Sequence, residues 1–266
     1  LKDYFFKTGH QKAVIGLSGG IDSALSCAIA SITLGAENVF GYALPSKFSS
    51  EHSIEDAKIL ANNLGINFSE ISIKEIHNQF LDSLSNDMDV KTSSLALENL
   101  QARIRGNLLM ALSNKLGALL LNTSNKTESA LGYSTLYGDM CGAIGVISDL
   151  NKHQVYTLSK WINVHFNKTI IPINSIEKEP SAELKPNQTD PFDYDNISPM
   201  IDSIITENKH LHQLTRQGYD KAEVQDILRK IRFSEFKRRQ ASPGIRVSQK
   251  AFGLGRKYPI VNQFKG

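Results

Sequence analysis

A chain of 266 residues, 41% hydrophobic and 21% charged, can bury a substantial core and lacks the charge excess of a disordered protein. No run approaches the roughly 20 apolar residues of a membrane span, which excludes a helical integral membrane protein. The net charge of +3 is mild, and Cys27 and Cys141 stand far apart in neither a CxxC nor a zinc-ligand pattern, so no disulfide framework is expected and the cytoplasm is the expected compartment.

The opening LKDYFFKTGHQKAV lacks the apolar stretch and small-residue cleavage site of a secretory signal, and the missing initial Met points to a trimmed or excised segment. From residue 12 to about 122, short β-branched runs alternate with longer helical patterns. KAVIGL, NVFGYAL, NFSEISI and GALLLN read as strands, with helices expected over about 22–34, 50–63 and 93–116. Such alternation implies parallel strands with right-handed crossovers, that is, an α/β doubly wound parallel sheet flanked by helices, with ligands at the carboxyl ends of the strands.

Two segments at such ends carry chemistry. In GLSGGIDS, residues 16–23, Gly19 and Gly20 permit positive φ and close approach of a ligand, and the N–H groups opening the next helix make an anion nest. Ser18 and Ser23 add hydroxyls. Asp22 would repel phosphate unless Mg²⁺ stood between them, and the lysine of a P-loop is missing. The plainer alternative is a tight strand-to-helix turn with Asp22 at a helix N-terminus. In LNTSNKTE, residues 121–128, Thr123, Lys126 and Glu128 follow another strand. Glu128 offers a second carboxylate for the metal, and the alternative is a capping box three residues beyond Asn125.

Past residue 123 the chain reads as loop-rich, then helical over about 151–166, where Trp161 falls in an apolar stripe and is expected in the core. The stretch EPSAELKPNQTDPFDYDNISP, residues 179–199 with four prolines, reads as a long functional loop that forms neither a regular helix nor a central strand, and 174–196 is an expected lid over the site. Helical patterning returns over 197–240. His210 and His212, two apart on a helix, would face different ways, which argues against a metal pair. The tail is irregular, so residues 1–266 are expected to form one domain with 197–266 as a helical and irregular C-terminal appendage. Arg229, Lys230, Arg232, Lys237, Arg238, Arg239 and Arg246 form a basic cluster that suits either a polyanion or a solvated helix face.

The string SGGIDS resembles the pyrophosphate-binding loop of the N-type ATP pyrophosphatases, which cleave ATP between its α and β phosphates. With ENLQARIRGNLLM (98–110), GYSTLYGDM (132–140), KEPSAELKPNQTD and EFKRRQASPGI, the chain resembles the NAD synthetase family, especially the synthetase domain of the glutamine-dependent form. That resemblance implies an adenine nucleotide alpha hydrolase-like, Rossmann-like fold and ATP-dependent amidation of deamido-NAD through an adenylated intermediate.

It also implies site roles. ATP would be bound by Gly16, Leu17, Ser18, Gly19, Gly20, Ile21, Asp22 and Ser23 with Thr123, Lys152 and Ser181, and Mg²⁺ by Asp22 and Glu128. Asp139, with Lys152 and Asp22, would be catalytic, Asp139 lying near the adenylate and the incoming ammonia. Arg103, Phe236 and Lys237 would contact deamido-NAD. Leu136, Ala143 and Ala43 depart from the ammonia-dependent members, which carry substrate-contacting Lys and Asp and an ATP-contacting Arg there.

The resemblance further implies a homodimer through the helix LALENLQARIRGNLLMALSNKL. Neither cysteine sits in a glutaminase context, so ammonia is the expected donor, with a glutaminase domain expected in a longer polypeptide and neither nucleic acid nor membrane as partner. The rival readings are another adenylating amidotransferase or tRNA-modifying ATP pyrophosphatase, and a nucleotide-binding domain without catalysis.

Overall fold

The computed structural model describes residues 1–87, 94–186 and 188–261. Ser93 at the expected start of the long helix, Asn187 in the expected lid and tail residues 262–266 lie outside the described residues. In chain order the elements are α1 (Lys2–Thr8), β1 (Ala13–Gly16), α2 (Ile21–Leu34), β2 (Val39–Ala43), α3 (Glu51–Leu64), β3 (Asn67–Glu70), α4 (Lys74–Leu84), α5 (Ser94–Leu116) and β4 (Leu119–Asn122). There follow α6 (Lys126–Leu131), β5 (Ile144–Gly145), α7 (Lys152–His165), α8 (Ile173–Glu177), α9 (Tyr194–Ile205), α10 (Leu211–Arg216), α11 (Lys221–Phe233) and α12 (Glu235–Arg238).

The strands form one sheet in the order β3-β2-β1-β4-β5. Every pairing is parallel. Ala13, Val14 and Ile15 of β1 are all buried because helices cover both faces, so the central strand reads as an unbroken apolar run. Side chains alternate: Val14 packs with Ala118, Leu120 and Leu109 on the α5 side, while Ala13 and Ile15 join Leu25, Leu60 and Ile162 opposite. After β3 the chain returns to the other side of β1 to make β4. The switch point of this doubly wound sheet therefore lies between the carboxyl ends of β1 and β4, where such folds bind ligands.

A second apolar cluster joins Ile201, Ile204 and Ile205 of α9 to Leu214, Val224 and Ile231, and it reaches the sheet module through Ala130 and Leu131 of α6. The expected irregular tail is tied down at the sheet edge: the Gly145 N–H donates to Pro243 O at 2.8 Å and the Ile245 N–H to Gly145 O at 3.1 Å.

Four expectations are corrected. The loop expected through Pro199 ends at Asp193, which caps α9, and Pro199 lies inside that helix. Trp161 is 52% exposed, on the outer face of α7, where it stacks on His165 one turn later instead of entering the core. His210 is the N-cap of α10 and precedes the helix. The strand expected over 67–73 ends at Glu70, because the chain turns there to bury Ile73 against Leu44 and Ile104.

Candidate active site

The loop from β1 to α2 is built for close approach. Gly19 has φ +75°, and a Cβ there would stand 2.2 Å from the Ser53 carbonyl oxygen, so only glycine fits. Inside the loop, the Gly20 N–H donates to Ser18 Oγ and the Ser18 N–H to Ser23 Oγ. Gly20 caps α2 with no side-chain acceptor, which leaves first-turn N–H groups free to meet an anion.

The adjacent loop after β4 meets this one. Asn125 and Glu128 form a full capping box on α6. The same Asn125 donates from Nδ2 to Asp22 Oδ1 at 2.9 Å, locking the two strand ends together. Capping and function are therefore not alternatives here, since Glu128 caps with Oε2 while Oε1 lies 4.0 Å from Lys152 Nζ. Lys152 is the buried first residue of α7, and its ammonium stands 2.5 Å from Asp22 Oδ2. A helix N-terminus is the unfavourable pole for a cation, so Asp22 and Glu128 are what hold it there. Burial alone would lower the Lys152 ammonium, but the two carboxylates raise it above its ordinary value. Burial and the Asp22 charge push the Glu128 carboxyl up to about 8.

Among the described residues, no group of three or more His, Cys, Asp or Glu side chains could hold a metal ion. Asp22 and Glu128 are instead the two-carboxylate set that suits Mg²⁺ when substrate phosphates supply the remaining oxygens.

Lys126, expected with them, turns away into the core. Its Nζ lies 2.6 Å from Asp202 Oδ1 and 3.7 Å from Asp149 Oδ1.

Across the cleft, Asp139 is fixed by the Thr135 N–H at 2.7 Å. Its loop lies on α5: a Cβ at Gly138 would be 2.9 Å from Ala102 Cβ, and one at Gly106 would be 2.9 Å from Gly138 O. The surrounding protein pushes the Asp139 carboxyl up to about 6, against the Thr135 N–H, Lys237 and Arg105.

Residues 178–186 and 188–190 roof the cleft. Lys178 Nζ donates to Ser53 Oγ at 2.8 Å, and Gln101 Nε2 donates to Leu184 O. Glu183, in the left-handed region at φ +48°, accepts from the Ser50 N–H, Ser50 Oγ and Ser53 Oγ. Tyr133 and Tyr194 both donate to Asp190 at the far end.

Gly16, Leu17, Ser18, Gly20, Ile21, Asp22, Ser23, Thr123, Glu128, Asp139, Lys152 and Ser181 all line this cleft. The expected dinucleotide contacts do not. Arg103 is exposed and donates to Leu136 O. Phe236 is 42% exposed, and Lys237 is spent on Gly132 O and Ser134 O. Leu136 lines an outer cavity with Tyr137 and Cys141. Ala143 accepts from the Tyr4 hydroxyl, and Ala43 lines the cleft beside Tyr42 and Leu44.

Sequence reasoning missed Arg105 and Glu183. A signal existed for the first: Arg103 and Arg105 stand roughly 200° apart around a helix, so only one can face the cleft. Of the basic cluster, Arg238 is bound by Glu235 and stacked on Phe252, and Arg229 and Lys230 pair with Asp226.

A model of the family described as NAD synthase matches residues 1–241. A protein of Thermotoga maritima named glutamine-dependent NAD(+) synthetase is 46% identical over 268 residues, covering 100% of this chain and 46% of its own length. The structure of glutamine-dependent NAD+ synthetase from Acinetobacter baumannii in complex with adenosine diphosphate is 38% identical, with a TM-score of 0.66 over 98% of this chain and 48% of that one. That of NMN synthetase from Francisella tularensis is 29% identical, with a TM-score of 0.71 and 89% of each chain covered. The chain spans about half the length of the curated relatives it matches.

Proposed function

The chain belongs to the NAD synthase family, and on that premise we propose that it amidates deamido-NAD to NAD with ATP and ammonia, releasing AMP and pyrophosphate. The observation that carries the reading is the meeting of Asp22, Glu128 and Lys152 at the β1/β4 switch point, beside the glycine-rich loop and opposite Asp139. The nicotinate carboxylate oxygen attacks the α-phosphorus and pyrophosphate leaves. Ammonia then attacks the acyl carbon and AMP leaves, taking the electron pair of the broken C–O bond. The Gly16–Ser23 loop, Thr123, Lys152 and Ser181 hold the nucleotide, and Asp139 orients ammonia and accepts the proton its nitrogen loses. The roof of residues 178–186 and 188–190 keeps water from the adenylate. Mg²⁺, held by Asp22 and Glu128, would neutralise charge on the departing pyrophosphate.

Ammonia is the proposed donor for this chain because neither thiol is activated. Burial pushes Cys27 up to about 12, and burial and the Asp139 charge raise Cys141. The relatives named glutamine-dependent are about twice as long, and a glutaminase domain in a longer polypeptide is the proposed source of ammonia from glutamine. Assays with ATP, Mg²⁺ and ammonium chloride are expected to convert deamido-NAD, with nicotinate mononucleotide and tRNA inert and glutamine unable to replace ammonium. Conversion of the mononucleotide alone would replace deamido-NAD as the substrate, and activity with tRNA would overturn the reading.

The metal assignment has a readout without turnover. A carboxyl raised in the folded state stabilises the fold below its unfolded value, and that stability is lost as pH rises through the folded value. For Glu128 the window runs from about 4.5 to about 8. The metal-free protein should lose thermal stability across it, and Mg²⁺ should raise Tm more at pH 8 than at pH 5.5. Glu128→Gln should weaken both responses, chiefly above about pH 6, where Asp139 no longer contributes. A Mg²⁺ effect equal at the two pH values, or unchanged in the variant, would contradict the assignment.

We further propose that residues 1–266 act as one unit with 197–266 appended, in the cytoplasm, and as a homodimer through α5, whose Leu95 and Met110 are 71% and 39% exposed. Among the described residues no helix is long and apolar enough to cross a membrane. Light scattering at micromolar concentration should give twice the 29.5 kDa chain mass. A monomer with full activity would refute the dimer.

A further inference from the structure

We propose that Arg105 is a substrate-contacting residue whose guanidinium grips the α-phosphate of the nucleotide, the centre at which the bond to pyrophosphate breaks. The cleft consists of two cavities that meet at a neck formed by Ser18, Arg105, Ser181 and Ala182. The inner one, past the carboxyl ends of β1 and β2, is walled by Leu17, Tyr42, Leu44 and Ile54 and suits a purine base. The outer one holds Asp22, Glu128, Lys152 and Asp139. A nucleotide lying across both places its first phosphate at the neck.

Arg105 is prepared for that position. Its Nε donates to Leu44 O at 2.9 Å, which fixes the plane of the fork. No hydrogen bond or ion pair among the described residues uses its terminal nitrogens, which leaves about four N–H donors. The acidic groups acting on it are Glu183 and Asp139. Glu183 is committed to Ser50 and Ser53, and Asp139 to the Thr135 N–H. The other cleft cations are already engaged, Lys152 with Asp22 and Lys178 with Ser53 and Asp56.

Arg105 is half-buried at the neck with no carboxylate on its terminal nitrogens, so its charge faces the cleft, and burial lowers the guanidinium to about 10. A planar fork with parallel donors matches a phosphate, which a lysine matches only as a point charge.

The inference rests on the ATP-consuming reading above, and its test separates the two. Calorimetric titration with AMP and with adenosine, which differ by the α-phosphate alone, should show tighter binding of AMP. In Arg105→Gln, AMP affinity should fall at least tenfold while adenosine stays within twofold. Single-turnover pyrophosphate release should fall 100-fold or more, with Arg105→Lys intermediate. Should the glutamine variant fail to fold, the lysine variant carries the same comparison. Equal losses for AMP and adenosine, or wild-type pyrophosphate release by the variant, would overturn the assignment. If the wild-type chain makes no NAD, the reaction reading fails, and the AMP–adenosine comparison still decides Arg105.

Discussion

Asp22→Asn is expected to lower pyrophosphate release by at least about 100-fold, the scale on which loss of one preorganised electrostatic partner slows a reaction. Asp22 is the group on which three parts of the site converge. Its Oδ2 holds the Lys152 ammonium at 2.5 Å, its Oδ1 accepts from Asn125, and it lies in the first turn of α2, above the glycine-rich loop. Asparagine keeps the shape but removes the charge that a metal and a phosphate would share. Two compensations should preserve the fold. Lys152 retains Glu128 at 4.0 Å, and relief of the Asp22 charge lets the Glu128 carboxyl move back toward its ordinary value. The defect should therefore appear in single-turnover pyrophosphate release, with a thermal midpoint near wild type. A variant that released pyrophosphate at the wild-type rate would remove Asp22 from the reaction.

The features legible in the sequence are those with local causes. The run KAVIGL followed by SGGIDS carries both the apolar signal of a central strand and the backbone freedom of an anion loop, and β1, the loop and α2 all form there. The placement of Thr123 and Glu128 at a neighbouring strand end also holds, because β4 pairs directly with β1.

What was not legible depended on partners far along the chain. β5 is two residues long and forms only through β4 on one side and the tail at Gly244 on the other, and α6 is six residues in a Ser/Thr/Asn stretch that alone reads as loop. The apolar stripe containing Trp161 gives the face of α7 but not whether another element covers it. Glu183 is set by a left-handed backbone in a proline-rich segment that has no period to read. Lys126 shares a motif with Glu128, yet on a helix two residues apart they point in different directions, one into the core and one toward the cleft.

That divergence makes Lys126 a residue whose loss should cost stability rather than chemistry. Its side chain is 2% exposed, and the ammonium lies between Asp202 of α9 and Asp149, which precedes α7. Asp149 also accepts from the Val247 and Ser248 N–H groups and from Ser248 Oγ, and Asp202 accepts from Asn151, the cap of α7. One buried cation thus joins the β4 exit, the C-terminal helices, the tail and the turn that presents Lys152. Lys126→Met fills the same space and removes the charge, leaving two acidic groups without their shared partner. Breaking a fully buried pair costs about 3–5 kcal/mol, and the 29% exposure of Asp202 places this loss at the lower end of that range. Urea unfolding should show that loss as a shifted midpoint with an unchanged slope. Lys126→Met/Asp202→Leu should recover part of it, because an apolar pair removes one of the orphaned carboxylates. A loss below about 1 kcal/mol in the single variant would show that water or local rearrangement already satisfies Asp149 and Asp202, and would deny Lys126 its place as the junction.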